Sequence, residues 1–96
     1  LKLPNNNILE ELYLNNNQLN EINISNFKNL KHFDVSSNLI SNIDLTENKL
    51  LNELYVSNNK LTSLNLNNNL ELKHINVEAN DIETLNLINN KNFEFI

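Results

Sequence analysis

A mainly-β repeat solenoid is the fold class predicted here. Three features predict it: a strict 21-residue period, a Leu-x-Leu alternation inside each period, and an asparagine at a fixed offset. Leu9, Leu12, Leu14, Asn17, Leu19, Ile22 and Ile24 recur 21 positions on as Leu30, Phe33, Val35, Asn38, Ile40, Ile43 and Leu45. Further steps reach Leu51, Leu54, Val56, Asn59, Leu61, Leu64 and Leu66, then Leu72, Ile75, Val77, Asn80, Ile82, Leu85 and Leu87. Every apolar slot holds Leu, Ile, Val or Phe, and no insertion breaks the register. A constant period in the range of about 20 to 50 residues is the signature of a solenoid or array. The expectation is one right-handed array over 1–96: a partial repeat 1–8, repeats 9–29, 30–50, 51–71 and 72–92, and a partial repeat 93–96.

Each repeat carries the spacing L-x-x-L-x-L twice, first as Leu9-x-x-Leu12-x-Leu14 and then as Leu19-x-x-Ile22-x-Ile24. The L-x-L core has the period of two that marks a half-buried strand, and no long helix is expected. The density of Asn lowers helix propensity further. Strands this short are unstable alone, but stacked on copies of themselves they complete a ladder and bury their inward residues against the next coil. The first L-x-L is expected to form a parallel sheet. The second is expected as short strands or extended turns on the opposite face.

The asparagines have a physical reason. A chain turning out of a strand leaves backbone N–H and C=O groups without partners in the interior, which is costly. An inward carboxamide offers both donors and acceptors. Copied every coil, Asn17, Asn38, Asn59 and Asn80 form one structural ladder, expected to be buried beside the inward residues Leu12, Phe33, Leu54 and Ile75. A second follows at Asn6, Asn48, Asn69 and Asn90, with Phe27 as its one break. Asn also tolerates the left-handed backbone region, which offers the turns a route without glycine. By composition alone, roughly a quarter Asn suggests a disordered prion-like tract. The regular apolar lattice overrules that reading.

Composition narrows the function. The 96 residues carry a formal net charge of −5, the reverse of the basic footprint of nucleic-acid-binding modules. The same charge disfavours docking on anionic lipid. No apolar run reaches the length of a membrane span, and no signal peptide is visible. There is no Cys, hence no disulfide framework and no cysteine metal cluster. No cofactor is implied. Met is also absent, and the lattice opens on Leu1-Lys2-Leu3 and stops at Phe93-Glu94-Phe95-Ile96, so a segment of a longer array is expected. Without caps, such ends invite end-to-end association.

The motif L-x-x-L-x-L-x-x-N-x-L, read as Leu9-x-x-Leu12-x-Leu14-x-x-Asn17-x-Leu19 and repeated from Leu30, Leu51 and Leu72, resembles the leucine-rich repeat family. The motif is highly specific, and the likeness covers essentially the whole chain. The short period, with a second L-x-L in place of a helix, resembles bacterial cell-surface members such as the listerial internalins. That resemblance implies a right-handed superhelix with its parallel sheet on the concave face, a protein partner and no enzymatic activity. It also implies an extracellular or bacterial cell-surface location. Family members carry caps at both ends, and this chain departs from them there.

In such a fold the outward side chains of the sheet run in columns. One reads Glu11, His32, Glu53, His74, Phe95, the next Tyr13, Asp34, Tyr55, Asn76, and a third Asn15, Ser36, Ser57, Glu78. A column at the strand entry adds Glu10, Lys31, Asn52, Lys73 and Glu94. Glu-Leu-Tyr at 11–13 returns at 53–55, and Lys-His at 31–32 returns at 73–74, a second period of 42. Parallel strands lie about 4.8 Å apart, so Glu and His alternate at contact distance and Glu10 faces Lys31. In the plainer reading this alternation only avoids like-charge ladders. In the sharper one Glu11, Tyr13, His32, Asp34, Glu53, Tyr55, His74 and Asn76 form a recognition surface, since Tyr is an enriched interface anchor.

Other chemistries fit less well. His32 and His74 stand two strands apart, about 10 Å at the backbone, whereas zinc–nitrogen bonds are near ~2 Å. No serine–histidine–acid grouping suggests a triad, and a phosphate loop needs glycine, which the chain lacks. The opposite face carries Lys2, Asn23, Asp44, Asn65, Asn86 and Glu21, Asn42, Ser63, Thr84, a solvated polar wall. Regular polar arrays can also meet ice or a polysaccharide lattice, and a third alternative is a spacer without its own ligand. Asn23-Ile24-Ser25 matches a glycosylation sequon at chance level.

Overall fold

A computed structural model describes residues 8–94. Expectations for Leu1, Leu3, Asn6, Lys2, Phe95 and Ile96 lie outside the described residues. Four strands, β1 (Glu11–Tyr13), β2 (His32–Asp34), β3 (Glu53–Tyr55) and β4 (His74–Asn76), form one parallel sheet in sequence order. Each residue pairs with the residue 21 further on, as Glu11 with His32 and Leu12 with Phe33. The lattice read in the sequence is thus the register of the sheet. Successive coils connect parallel neighbours through a right-handed crossover, the hand that twisted strands impose.

The ladder runs past the three-residue strands. Leu14 N donates to Asp34 O at 2.8 Å and Asn16 N to Ser36 O at 3.0 Å, with the same bonds one and two coils on. Beyond the strand the backbone turns through a positive φ at Asn16, Ser37, Asn58 and Ala79. Asn fills two of these four left-handed positions, and Ser and Ala fill the others, so asparagine is not what the turn requires. The hydrogen bonds around each turn hold a non-glycine residue there at a modest steric cost.

The second L-x-L is extended but unpaired. No backbone bond joins neighbouring coils across positions 20–25 or their equivalents among the described residues. Instead the chain there makes tight turns, with Phe27 N donating to Ile24 O and Leu30 N to Phe27 O at 3.0 and 3.1 Å. Coils are joined by a backbone ladder on the strand side and by the side-chain carboxamides of Asn48, Asn69 and Asn90 near the other.

The interior is a set of stacked apolar columns. Leu30, Phe33, Val35, Leu51, Leu54 and Leu72 have no exposed surface. Leu9, Leu12 and Leu14 of the first coil are only partly buried, as are Leu85 and Leu87. Burying a Leu or Phe side chain contributes about 1.5–3 kcal/mol, and the central coils gain most of it.

Two columns of carboxamides accompany the apolar ones. Asn38 Nδ2 donates to Val35 O (2.8 Å) in its own turn and to Leu14 O (3.0 Å) one coil back. Its Oδ1 accepts from Leu19 N at 3.0 Å. Asn59 repeats this with Val56 O, Val35 O and Ile40 N, and Asn80 with Val77 O, Val56 O and Leu61 N. One correction concerns burial: Asn38 and Asn59 are buried, but Asn17 is exposed and Asn80 only partly covered. In the second column Asn48, Asn69 and Asn90 are buried. Asn48 donates to Ile24 O and Phe27 O, so the break at Phe27 still supplies a carbonyl to the column. The Oδ1 atoms of these three asparagines are buried and accept no hydrogen bond.

Replacing Asn59 by Leu is expected to destabilise the fold by about 1–3 kcal/mol, because Ile40 N loses its partner and Val35 O and Val56 O each lose one of two. The exposed Asn17→Leu should cost less than half as much. Urea midpoints of the two variants check this; equal midpoints for Asn59→Leu and the parent would remove the role assigned to the carboxamide.

Candidate functional site

The pleat sends Leu12, Phe33, Leu54 and Ile75 inward, so the residues on either side of each face out from the sheet. The eight residues singled out in the sequence are these flanking positions: Glu11 and Tyr13, His32 and Asp34, Glu53 and Tyr55, His74 and Asn76. The fold brings all eight onto one face.

Their side chains do more than line up. His32 leans between the two tyrosines: its ring centroid lies 4.7 Å from that of Tyr13 and 5.2 Å from that of Tyr55, with tilts near 41° and 42°. Such offset aromatic contacts are favourable. His32 Nδ1 also meets Glu53 Oε2 at 2.5 Å. The imidazole is thus fixed on both faces and at one nitrogen. Tyr13 remains more than half exposed, at 55%. The strand register alone places Asp34, not His32, directly between the tyrosines. A lateral lean of three side chains therefore builds the aromatic row, which is why spacing arguments describe two separated tyrosines.

The expected charge pairs are present with one change. Lys31 Nζ meets Glu10 Oε1 at 3.3 Å. His74, however, pairs through Nε2 with Glu94 Oε2 at 3.4 Å, while Glu53 serves His32. A carboxylate with an imidazole on each side can turn fully to only one of them. Asp34 is held by its own turn, its Oδ1 accepting from Ser36 N at 3.0 Å and Ser36 Oγ at 2.5 Å. Among the described residues no three His, Cys, Asp or Glu side chains are grouped to hold a metal ion.

Both phenols are held above the ordinary tyrosine range. For Tyr13 the causes are lost hydration, then the carboxylates of Glu11 and Glu53; for Tyr55, lost hydration, then Glu53 and Asp34. The face around the aromatic row is therefore electrically negative.

The opposite wall has a structural task that the sequence reading missed. Asn23 Oδ1 accepts from Ser25 N and Ser25 Oγ, and Asp44 Oδ1 from Thr46 N and Thr46 Oγ1. Asn65 and Asn86 cap Asn67 N and Ile88 N in the same way. These are Asx turns, which asparagine and aspartate favour for this reason. The signal was available as Asx-x-Ser/Thr at 23–25 and 44–46. Thr46 holds the Asp44 carboxyl below the usual carboxylate range through its hydroxyl and its N–H.

A pH titration of tyrosine absorbance should show both midpoints above 10, and Glu53→Gln should bring both down. A raised folded-state value means that the folded chain keeps its phenol protons after the unfolded chain has lost them. Stability from this source is therefore present below the ordinary tyrosine value and falls as pH rises past it. Midpoints at or below the free tyrosine value would contradict the negative surroundings described.

No family model matches the chain, and no curated protein matches it significantly. Among solved structures it is similar to the functional domain of InlJ from Listeria monocytogenes, which includes a cysteine ladder. The TM-score is 0.86 at 28% sequence identity. The match covers 93% of this chain and 20% of that one, so the chain spans about a fifth of the length of this structural relative. Together with the four in-register parallel strands, this identifies the fold as an internalin-like leucine-rich repeat solenoid. The present chain has no cysteine, and its buried polar columns are asparagine.

Proposed function

We propose that this leucine-rich repeat solenoid is a protein-binding module that uses its sheet face, within a larger bacterial surface or secreted protein. The observation that carries the reading is the Tyr13–His32–Tyr55 row. It offers rigid, partly exposed aromatic surface whose rotamers are already fixed by mutual contact and by Glu53, so little ordering entropy is lost on binding. Tyr is among the side chains that most often dominate binding energy. Outside this face, the large exposed apolar side chains Ile8, Leu39, Leu50, Leu70 and Ile88 are spread over separate turns.

The likeness to an internalin domain supports a surface setting and a binding rather than a catalytic role. No described helix is long and apolar enough to cross a membrane. Neither a nucleic-acid partner nor insertion into a bilayer is part of this reading. A regular-surface binder of ice or polysaccharide draws less support. The polar wall that would meet such a surface has its Oδ1 atoms committed to capping its own turns.

Photo-crosslinkers at Ser36 and Ser57 should trap a protein partner, and one at Asn86 should not. Tyr13→Ala combined with Tyr55→Ala should weaken the trapped complex by about tenfold or more, as loss of interface anchors does. Asn65→Ala should leave it unchanged. A complex that maps to the Asn wall, or that tolerates the tyrosine double substitution, would sink the proposal.

A further inference from the structure

Beside the aromatic row lies a hollow of about 300 Å3, lined by Glu10, Glu11, Lys31, His32, Asn52 and Glu53. The row borders it through His32, the middle ring. Its lining contains no aliphatic residue, so an apolar anchor would find no surface to bury against. Three carboxylates meet at most two cations there. Lys31 is committed to Glu10 and His32 to Glu53. Glu11 has no ion-pair partner among the described residues; after lost hydration, its carboxylate is the next cause that raises the Tyr13 phenol above its ordinary value. With His32 neutral the lining carries a net charge of −2; with His32 protonated it still carries −1.

An anion would be repelled, and a neutral polar group would leave Glu11 uncompensated. A guanidinium or ammonium group satisfies each feature at once. It can pair with a free carboxylate by charge-assisted hydrogen bonds. Guanidinium does so better than ammonium, because its planar fork meets a carboxylate with two parallel bonds and it is more weakly hydrated.

We propose that this hollow receives a basic side chain, arginine in preference to lysine, from the protein partner. Glu11 is its charge acceptor, and His32, the middle of the aromatic row, borders it. The inference rests on the sheet face being the binding face, and it adds the chemistry of what that face recognises: a segment of partner chain carrying exposed positive charge.

The probe is a short synthetic peptide of alternating Arg and Gly, titrated into isotopically labelled protein and followed by amide NMR shifts. A Glu-Gly peptide, a Ser-Gly peptide and a soluble chitooligosaccharide serve as comparisons. The Arg-Gly peptide should move the amides of Glu10, Glu11, His32 and Glu53. Its affinity should fall by about fivefold in Glu11→Gln, the worth of one exposed ion pair. It should fall again when salt is raised from about 20 to about 200 mM. Glu11 is an exposed side chain, so Glu11→Gln keeps the fold, and an unchanged amide spectrum away from the hollow checks this. An Arg-Gly peptide that fails to bind, or that ignores Glu11→Gln, overturns the inference. If the Ser-Gly peptide or the oligosaccharide moves these amides and the Arg-Gly peptide does not, the cationic ligand is wrong while the sheet face stands. If shifts fall only on Asn65 and Asn86, both readings fail.

Discussion

Everything in this solenoid depends on how a turn that enters the interior finds partners for its backbone. Leu14 O, Val35 O and Val56 O point inward at the end of successive strands, where water does not reach. Each is met by the Nδ2 of an asparagine one coil further on. Unpaired, such a carbonyl costs about 1–3 kcal/mol, enough over several coils to consume the marginal stability of a small domain. One inserted residue would carry the carboxamide past its target. The constant period of the chain is therefore a condition of hydrogen bonding as much as of hydrophobic packing.

From that fixed pitch the outward face inherits its order. Side chains in adjacent coils stand at strand spacing, so each recurs opposite its counterpart, and a second period of 42 residues is laid over the first. Its effect is local. A tyrosine column interrupted by Asp34 and a His–Glu column meet where His32 crosses from one to the other. His74, the counterpart of His32 one period of 42 on, turns instead to Glu94, and Asn76 stands where Asp34 stood. An otherwise uniform surface thereby acquires one distinct place, set in its first three coils.

Much of this was legible in the sequence, and the limits have physical causes. The buried columns through Leu30, Phe33 and Leu51 follow from period and alternation, since burial depends on which way the pleat points. The polar role of Asn38 and Asn59 follows from the accounting of backbone groups. The exposure of Asn17 did not follow, because a residue's burial depends on the coils stacked around it and not on its own repeat. The left-handed residues Ser37 and Ala79 carry no compositional mark. The stacking of His32 between tyrosines is a rotamer choice, invisible to residue spacing. At 44–46 the capping of Thr46 by Asp44 was written in plain view, but within a polar wall every residue looks equally suited to water.

The carboxamide bonds also have a direction. Asn38, Asn59 and Asn80 all reach back to the coil that precedes them, and Asn48, Asn69 and Asn90 do the same. Within a coil the inner carbonyls already take one bond, as Val35 O does from Asn38, but the N–H groups of Leu19, Ile40 and Leu61 are met by the asparagine of the coil made after them. A chain leaving the ribosome therefore carries, at every moment, one newest coil with an inner N–H that still awaits its partner, and each further turn of synthesis seals the last. Growth of the array is a ratchet in which order is conferred backward along the chain, and damage to one asparagine is felt in the coil that precedes it as well as in its own.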